Sequence, residues 1–538
     1  AAQRSYYVGD ASVYLFGKNG EAPNDSILYK NLNIHYYDKL QVRPNMLYRW
    51  MNYQQFVRSK QMRASNRTRL YSQYRQEQVQ EKLSQLGIFS YMDMQYAPRD
   101  TTAACDTLDV TMQATFAKPL DAELELNVVT KSNDQTGPGA SFGVTRNNVF
   151  GGGESWNVKL KGSYEWQTGG GEKSSLMNSW EMGLSTSLTF PRVVFPHLGK
   201  REFDFPATTT FRLYINQLNR AKYYKLLSFG GNATYDFQPS RTSRHSITPF
   251  KLTFNVLQHQ SEDFKEIAEA NPALYVSLRN QFIPAMEYTY TYDNASGRRI
   301  KNPIWWQSTV TSAGNITSLI YRAFGKPFNE EDKSLLGAPF AQFVKLNTEL
   351  RHLWNIDKNN AIASRMAVGA LFTYGNATIA PYSEQFYVGG ANSIRAFTVR
   401  SVGPGGYHPE EGKYSYLDQT GTFRFEANVE YRFRIFKSFW GATFLDAGNV
   451  WLLRKDRKLL ADGKEARPNS QLRLKTFPKQ IALGTGVGIR YDMDILVFRL
   501  DFGIPLHLPY DTDRSGYYNV TGAFFKNLGI HFAIGYPF

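Results

Sequence analysis

One stretch constrains the fold of this chain more than any other: "FRFEANVEYRFRIF", residues 423–436. Phe425, Ala427, Val429, Tyr431, Phe433 and Ile435 alternate with Arg424, Glu426, Asn428, Glu430, Arg432 and Arg434. A period of two makes this a β-strand with one apolar and one polar face. Six successive polar positions would ruin a packed soluble core but suit the wet interior of a barrel.

The alternation recurs. In "FKLTFNVL", Phe250, Leu252, Phe254 and Val256 oppose Lys251, Thr253 and Asn255. By this rule sixteen strands follow one another near 121–130, 141–150, 155–166, 180–190, 209–218, 224–237, 246–257, 285–292, 305–315, 342–354, 361–374, 423–435, 439–453, 479–491, 494–502 and 528–538. Most have about the 9–11 residues that a tilted membrane-spanning strand needs. Joins after even-numbered strands are mostly short ("GGGE", "DKNN", "KS", "DM"), with "PRVVFPHLGKREFDFPATT" the exception, and joins after odd-numbered strands are mostly long. Short periplasmic turns and long outer loops are the pattern of an outer-membrane barrel. No run of 18 apolar residues would make a membrane-crossing helix. Only 42% of residues are apolar, yet 15% are aromatic, as interfacial aromatic girdles require.

The first 120 residues differ. After a polar segment, 1–27, "LYKNLNIHYY" reads as a strand, "NMLYRWMNYQQFV" as a helix, and "YRQEQVQEKLSQLG" as a second helix with Val79, Leu83 and Leu86 on one face and Gly87 as its stop. "FSYMDMQYA" and "TLDVTMQATF" add two strands. Residues 28–119 are thus expected to form a small α+β domain, and 120–538 a 16-stranded transmembrane antiparallel β-barrel. The opening "AAQRSYYVGD" lacks the apolar core of an export signal, so export implies processing.

The net charge of +15 would suit a nucleic-acid partner, but the basic residues are spread along the chain, and none is expected. Cys105 is the sole cysteine, and no two of the eight histidines stand at i, i+2 or i, i+4, so neither a metal nor a cofactor is expected. "GASFG" places Ser141 in a G-x-S-x-G pattern, yet an alternating strand follows where a nucleophile elbow needs a helix. "TGGGEKSS" and "LGTGVGIRY" lack phosphate-loop spacing. No catalytic residue is assigned.

Two features remain. "NLGIHFAIGYPF" puts Phe532, Ile534, Tyr536 and Phe538 on one face and ends on an aromatic, a handle for barrel-assembly machinery, while Gly529, Gly535 and Pro537 weaken strand pairing. "YVGGANSIRAF" sets Arg395 in the sixth long loop. Glu430 points into the lumen on the next strand, and Asp446 follows in "FLDAGNVW". An arginine inserted beside these acids would gain bidentate, charge-assisted hydrogen bonds and act as a latch.

Taken together, the small domain with "VQEKLSQLGIFSYMDMQYAP", the barrel opening "VTRNNVFGGGE", the loop tip Ser393, Ile394, Arg395, Ala396, Phe397, the "DAGNVW" strand and the aromatic end resemble the BamA/TamA family, with the TamA-like branch favoured by "GGANSIRAFTVRSVGPGGY". The family's tip usually reads V-R-G-F, and Ala396 here replaces the glycine. The resemblance implies that residues 28–119 are a POTRA-like periplasmic domain, that further such domains precede Ala1 or have been trimmed, and that Arg395 contacts Glu430 and Asp446. It implies a factor that inserts or translocates unfolded outer-membrane proteins, working in the lipid bilayer with a TamB-like periplasmic partner or accessory lipoproteins. A passive porin or uptake channel and a two-partner-secretion transporter are the alternatives.

Overall fold

The structure, a computed structural model, describes residues 5–17, 19–30, 32–51, 70–102, 105–130, 135–167, 179–195, 207–220, 224–262, 280–296, 300–325, 327, 334–335, 338–375, 380–381, 384–409, 419–455, 465, 467–493 and 496–538. The chain divides into two compact units, one of residues 1–125, 141–160 and 185–212, the other of 126–140, 161–184 and 213–538.

Within the first unit lies a five-stranded sheet of β1 (Tyr7–Phe16), β2 (Asp25–Tyr29), β3 (Leu32–Tyr36), β4 (Phe89–Pro98) and β5 (Thr107–Phe116), in the order β2-β3-β1-β5-β4. Helices α1 (Pro44–Met51) and α2 (Gln73–Gln85) pack on it. Leu47 of α1 and Val79 and Leu83 of α2 are buried with Val13, Leu15, Ile34 and Met112 of the strands, and each fully buried apolar side chain contributes about 1.5–3 kcal/mol. Gly87 ends α2 with φ 65°, as the sequence expected.

Two details correct the sequence reading. The polar opening, 1–27, contains β1, a central strand parallel to both β3 and β5, because a bulge between Val8 and Ala11 breaks the alternation that would have revealed it. The strand expected over 28–37 is split between the end of β2 and β3. Residues 52–57 of the expected first helix lie outside the described residues.

All sixteen alternating segments are strands of one sheet: β6 (Leu120–Thr130), β7 (Gln135–Asn147), β8 (Ser155–Gln167), β9 (Ser179–Phe190), β10 (Ala207–Arg220), β11 (Tyr224–Ser240), β12 (Ser243–Gln260), β13 (Gln281–Asp293), β14 (Ile304–Ala313), then, after helix α3 (Asn315–Ala323) and a ribbon of β15 (Ser334–Leu335) and β16 (Ala338–Pro339), β17 (Phe343–Asn355), β18 (Asn360–Thr373), β19 (Phe423–Phe436), β20 (Phe439–Trp451), β21 (Ala482–Asp492), β22 (Val497–His507) and β23 (Gly529–Ile534). Strand order is sequence order, with β6 and β23 at its ends. Val429, Leu445, Val487 and Phe532 are exposed on one face, and Glu430, Asp446, Arg490 and Asp501 are buried on the other. The last strand is shorter than expected. Gly535, at φ 86°, turns the chain, so Tyr536 and Phe538 leave the face that carries Phe532; the side chain of Ile534 lies outside the described residues.

Candidate functional site

The site is built where the β18–β19 loop, residues 374–422, meets the polar face of β19 to β23. Its tip folds on itself: the Gly390 amide donates to Phe397 O at 2.8 Å and the Phe397 amide to Ile394 O at 3.0 Å. Ile394, Ala396 and Phe397 are buried in an apolar cluster with Val388, Val402 and Val450. Small wall residues make the seat. A Cβ on Gly484 would collide with Ala396, and one on Gly503 would stand 2.6 Å from Arg395 O. Ala396, where glycine was anticipated by resemblance, does not adopt a left-handed φ, so its methyl group is tolerated.

Arg395 is 0% exposed. Its Nε and Nη2 donate to the two oxygens of Asp446 at 2.8 and 2.9 Å, and its own amide donates to Asp446 Oδ2 at 3.0 Å. Nη1 donates to Glu430 Oε2, and the guanidinium lies 3.5 Å over the Phe444 ring. The two acids expected from the sequence therefore meet this arginine, one of them bidentately. Ser393 also has a place, accepting from the Gly389 amide at 3.0 Å and donating to Glu426 Oε2 at 2.5 Å.

The surrounding charges form a larger network. Glu430 accepts from Arg432 Nε at 2.8 Å and from Arg490 Nη2 at 3.0 Å. Asn428 Nδ2 donates to Asp446 Oδ1 at 2.9 Å and to Ser393 O at 2.8 Å. Asp501 lies 2.6, 3.5 and 3.7 Å from Arg490, Arg499 and Arg395 respectively, but among the described residues neither of its oxygens accepts a hydrogen bond of good geometry, so its pairing is ionic. Arg499 holds the loop from the other side, donating to Ala391 O at 3.1 Å and Asn392 Oδ1 at 2.7 Å. Arg365 donates to Asn392 O at 3.2 Å. Desolvated charges at this density persist only when each is paired, so displacing one partner penalises the rest.

Of the C-terminal residues singled out by sequence, Gly529 sits beside the loop, where a Cβ would be 3.2 Å from Arg395 O. Phe532 is exposed on the outer face. Beyond Gly535, the Arg432 guanidinium stands 4.2 Å over the Tyr536 ring and 5.8 Å from that of Phe538. Asp501, Arg490, Arg499 and His531 were not named from the sequence, although the alternation that singled out Glu430 puts them on the same face. Ser141, in the G-x-S-x-G pattern, lies within β7 and donates to Glu125 at 3.1 Å.

Residues 148–538 match the Omp85 superfamily domain. The chain belongs to the Omp85 superfamily. Among solved structures, this Omp85 chain is similar to BamA from Haemophilus ducreyi lacking POTRA domains 1–3, at 12% identity and a TM-score of 0.57, over 95% of this chain and 88% of that one. CdiB from Acinetobacter baumannii matches at 11% identity and a TM-score of 0.49, over 98% and 74% of the two chains. At such identities the BamA likeness is one of fold. Omp85 membership places the barrel in a bacterial outer membrane and gives it the family's work of protein insertion or translocation.

Proposed function

We propose that this Omp85 chain assembles client outer-membrane proteins by lending them a strand edge at a weak seam between β6 and β23, with the β18–β19 loop latched in the lumen by Arg395, Glu430 and Asp446. The observation that carries this reading is the buried guanidinium bridging two acids of the barrel wall, which pins the tip of the long loop to the polar face of the strands. A client strand cannot leave its backbone amides unpaired in lipid, so it needs a template until it closes on itself. The small α+β domain is the POTRA-like periplasmic part. Its edge strand β2, exposed along most of its length, offers clients a first pairing surface. The TamA-like branch and a TamB-like partner follow from the resemblance of the loop sequence, and copurification from the native membrane tests them.

Depletion in cells is the direct test: levels of other outer-membrane barrels should fall and be restored by the intact chain. Normal barrel levels, together with large, steady conductance in planar bilayers, would reject assembly in favour of a porin.

A further inference from the structure

We propose that His531 is a positioning residue that ties the last strand, β23, to the β18–β19 loop, so that strand and loop tip are held or released together. This rests on the reading that β23 is one side of the seam. β23 is six residues long, against eleven in its neighbour β22, so its own ladder holds it weakly. His531 points to the buried face, opposite Asp501 in the pairing register. Its Nε2 donates to Arg395 O at 2.7 Å. That carbonyl sits in a notch left by Gly503 and Gly529, and a buried carbonyl stripped of a donor is costly. The guanidinium of Arg395 thus anchors the loop to Glu430 and Asp446, while its carbonyl anchors the last strand.

A second tie runs through the chain end. Arg432 Nη2 donates to Phe538 O at 3.4 Å, and Arg432 Nε holds one oxygen of Glu430 while Arg395 holds the other. Loop tip and chain end are therefore linked through one buried acid, the tip by Arg395 directly and the chain end by way of Arg432. Moving either leaves a buried group short of a partner, which makes the two positions energetically coupled and the coupling reciprocal.

The experiment uses the full chain in lipid nanodiscs, reading amide exchange over residues 529–534 and trypsin cleavage after Arg400 in the loop. His531→Phe keeps the ring and removes the donor, and both readouts should rise about tenfold; His531→Gln restores a donor and should return both. Faster exchange in β23 with unchanged loop cleavage overturns the tether and reduces His531 to ladder packing. Should the Phe variant fail to insert, Asp446→Asn loosens the loop from its far side: faster exchange in β23 supports the tether, and unchanged exchange overturns it. Client assembly in cells is scored separately. Coupled readouts with undiminished assembly would uphold the tether and reject the seam.

Discussion

Arg395→Ala tests the latch most directly. Arg395 supplies two hydrogen bonds to Asp446 and one to Glu430, each contributing about 1.5–3 kcal/mol to a charged acceptor. Their sum overstates the loss. Glu430 keeps Arg432 and Arg490, whereas Asp446 keeps, among the described residues, only neutral donors, Asn428 and the amide of residue 395. The cost is therefore concentrated at Asp446 and should match that of breaking one buried pair, about 3–5 kcal/mol. At about 1.4 kcal/mol per decade, the undocked loop gains roughly two to three orders of magnitude in population. Trypsin cleavage after Arg400, in folded protein in detergent micelles, reads that population. Arg395→Lys keeps the charge but loses the fork and the packing on Phe444, so its cleavage rate should fall between the two. Adding Asp446→Asn to Arg395→Ala removes the stranded charge and should recover about 1–3 kcal/mol. Cleavage and unfolding temperature at wild-type values in Arg395→Ala, or no recovery in the double variant, would refute the reasoning.

Three further outcomes follow from the geometry. Gly503→Ala places a methyl group 2.6 Å from Arg395 O, so overpacking of about 1–3 kcal/mol should accelerate loop cleavage without removing any charge; an unchanged rate would mean that the tip does not rest there. Gly535→Ala has open space around the new methyl group but must hold φ at 86°, so a strain of about 1–2 kcal/mol should raise exchange at the end of β23, and unaltered exchange would contradict the turn. In the α+β domain, hydrogen bonds from Arg99, with Nη2 at 2.7 Å, hold the Asp109 carboxyl below its ordinary pKa. Such a group stabilises the fold above the ordinary carboxylate range and loses that contribution as pH falls through the depressed value. Because the pair is more than a third exposed, the effect is about 0.2–1 kcal/mol: amide protection in β1 and β5, taken relative to the intrinsic exchange rate at each pH, should fall on acidification in wild type and less so in Asp109→Asn, and identical protection profiles would remove the claim.

Much of the fold was legible because a barrel writes its two solvents into the sequence at a period of two. Each strand declares itself locally, whatever it pairs with. Where the local signal was broken, the reading failed: the bulge at Val8–Ala11 concealed β1, and a single left-handed glycine at 535 ended a strand that the pattern Phe532, Ile534, Tyr536, Phe538 would have carried to the terminus. Glu430 was legible because it continues an unbroken polar face, and Asp446 because it stands as an acid among the small residues of "FLDAGNVW". Choosing among the remaining inward charges needs register, which is long-range information. Only the pairings Asp446↔Gly484, Arg490↔Arg499 and Asp501↔His531 bring Arg490, Asp501 and His531 alongside the loop tip.

Register also explains why the glycines gather where they do. Gly484 stands across from Asp446, while Gly503 and Gly529 face one another on β22 and β23. Three of the strands beside the loop tip, β21, β22 and β23, thus give up a side chain where the tip presses on them. A glycine in a strand weakens the ladder and is retained where another backbone must approach closely. Here the approaching backbone is that of Arg395 and Ala396. The positions that make room for the latch are therefore the same ones that soften the last strands. Filling Gly529 to strengthen pairing would crowd the Arg395 carbonyl, so in this sequence firm pairing of β23 with β22 and a seated loop tip compete for the same space.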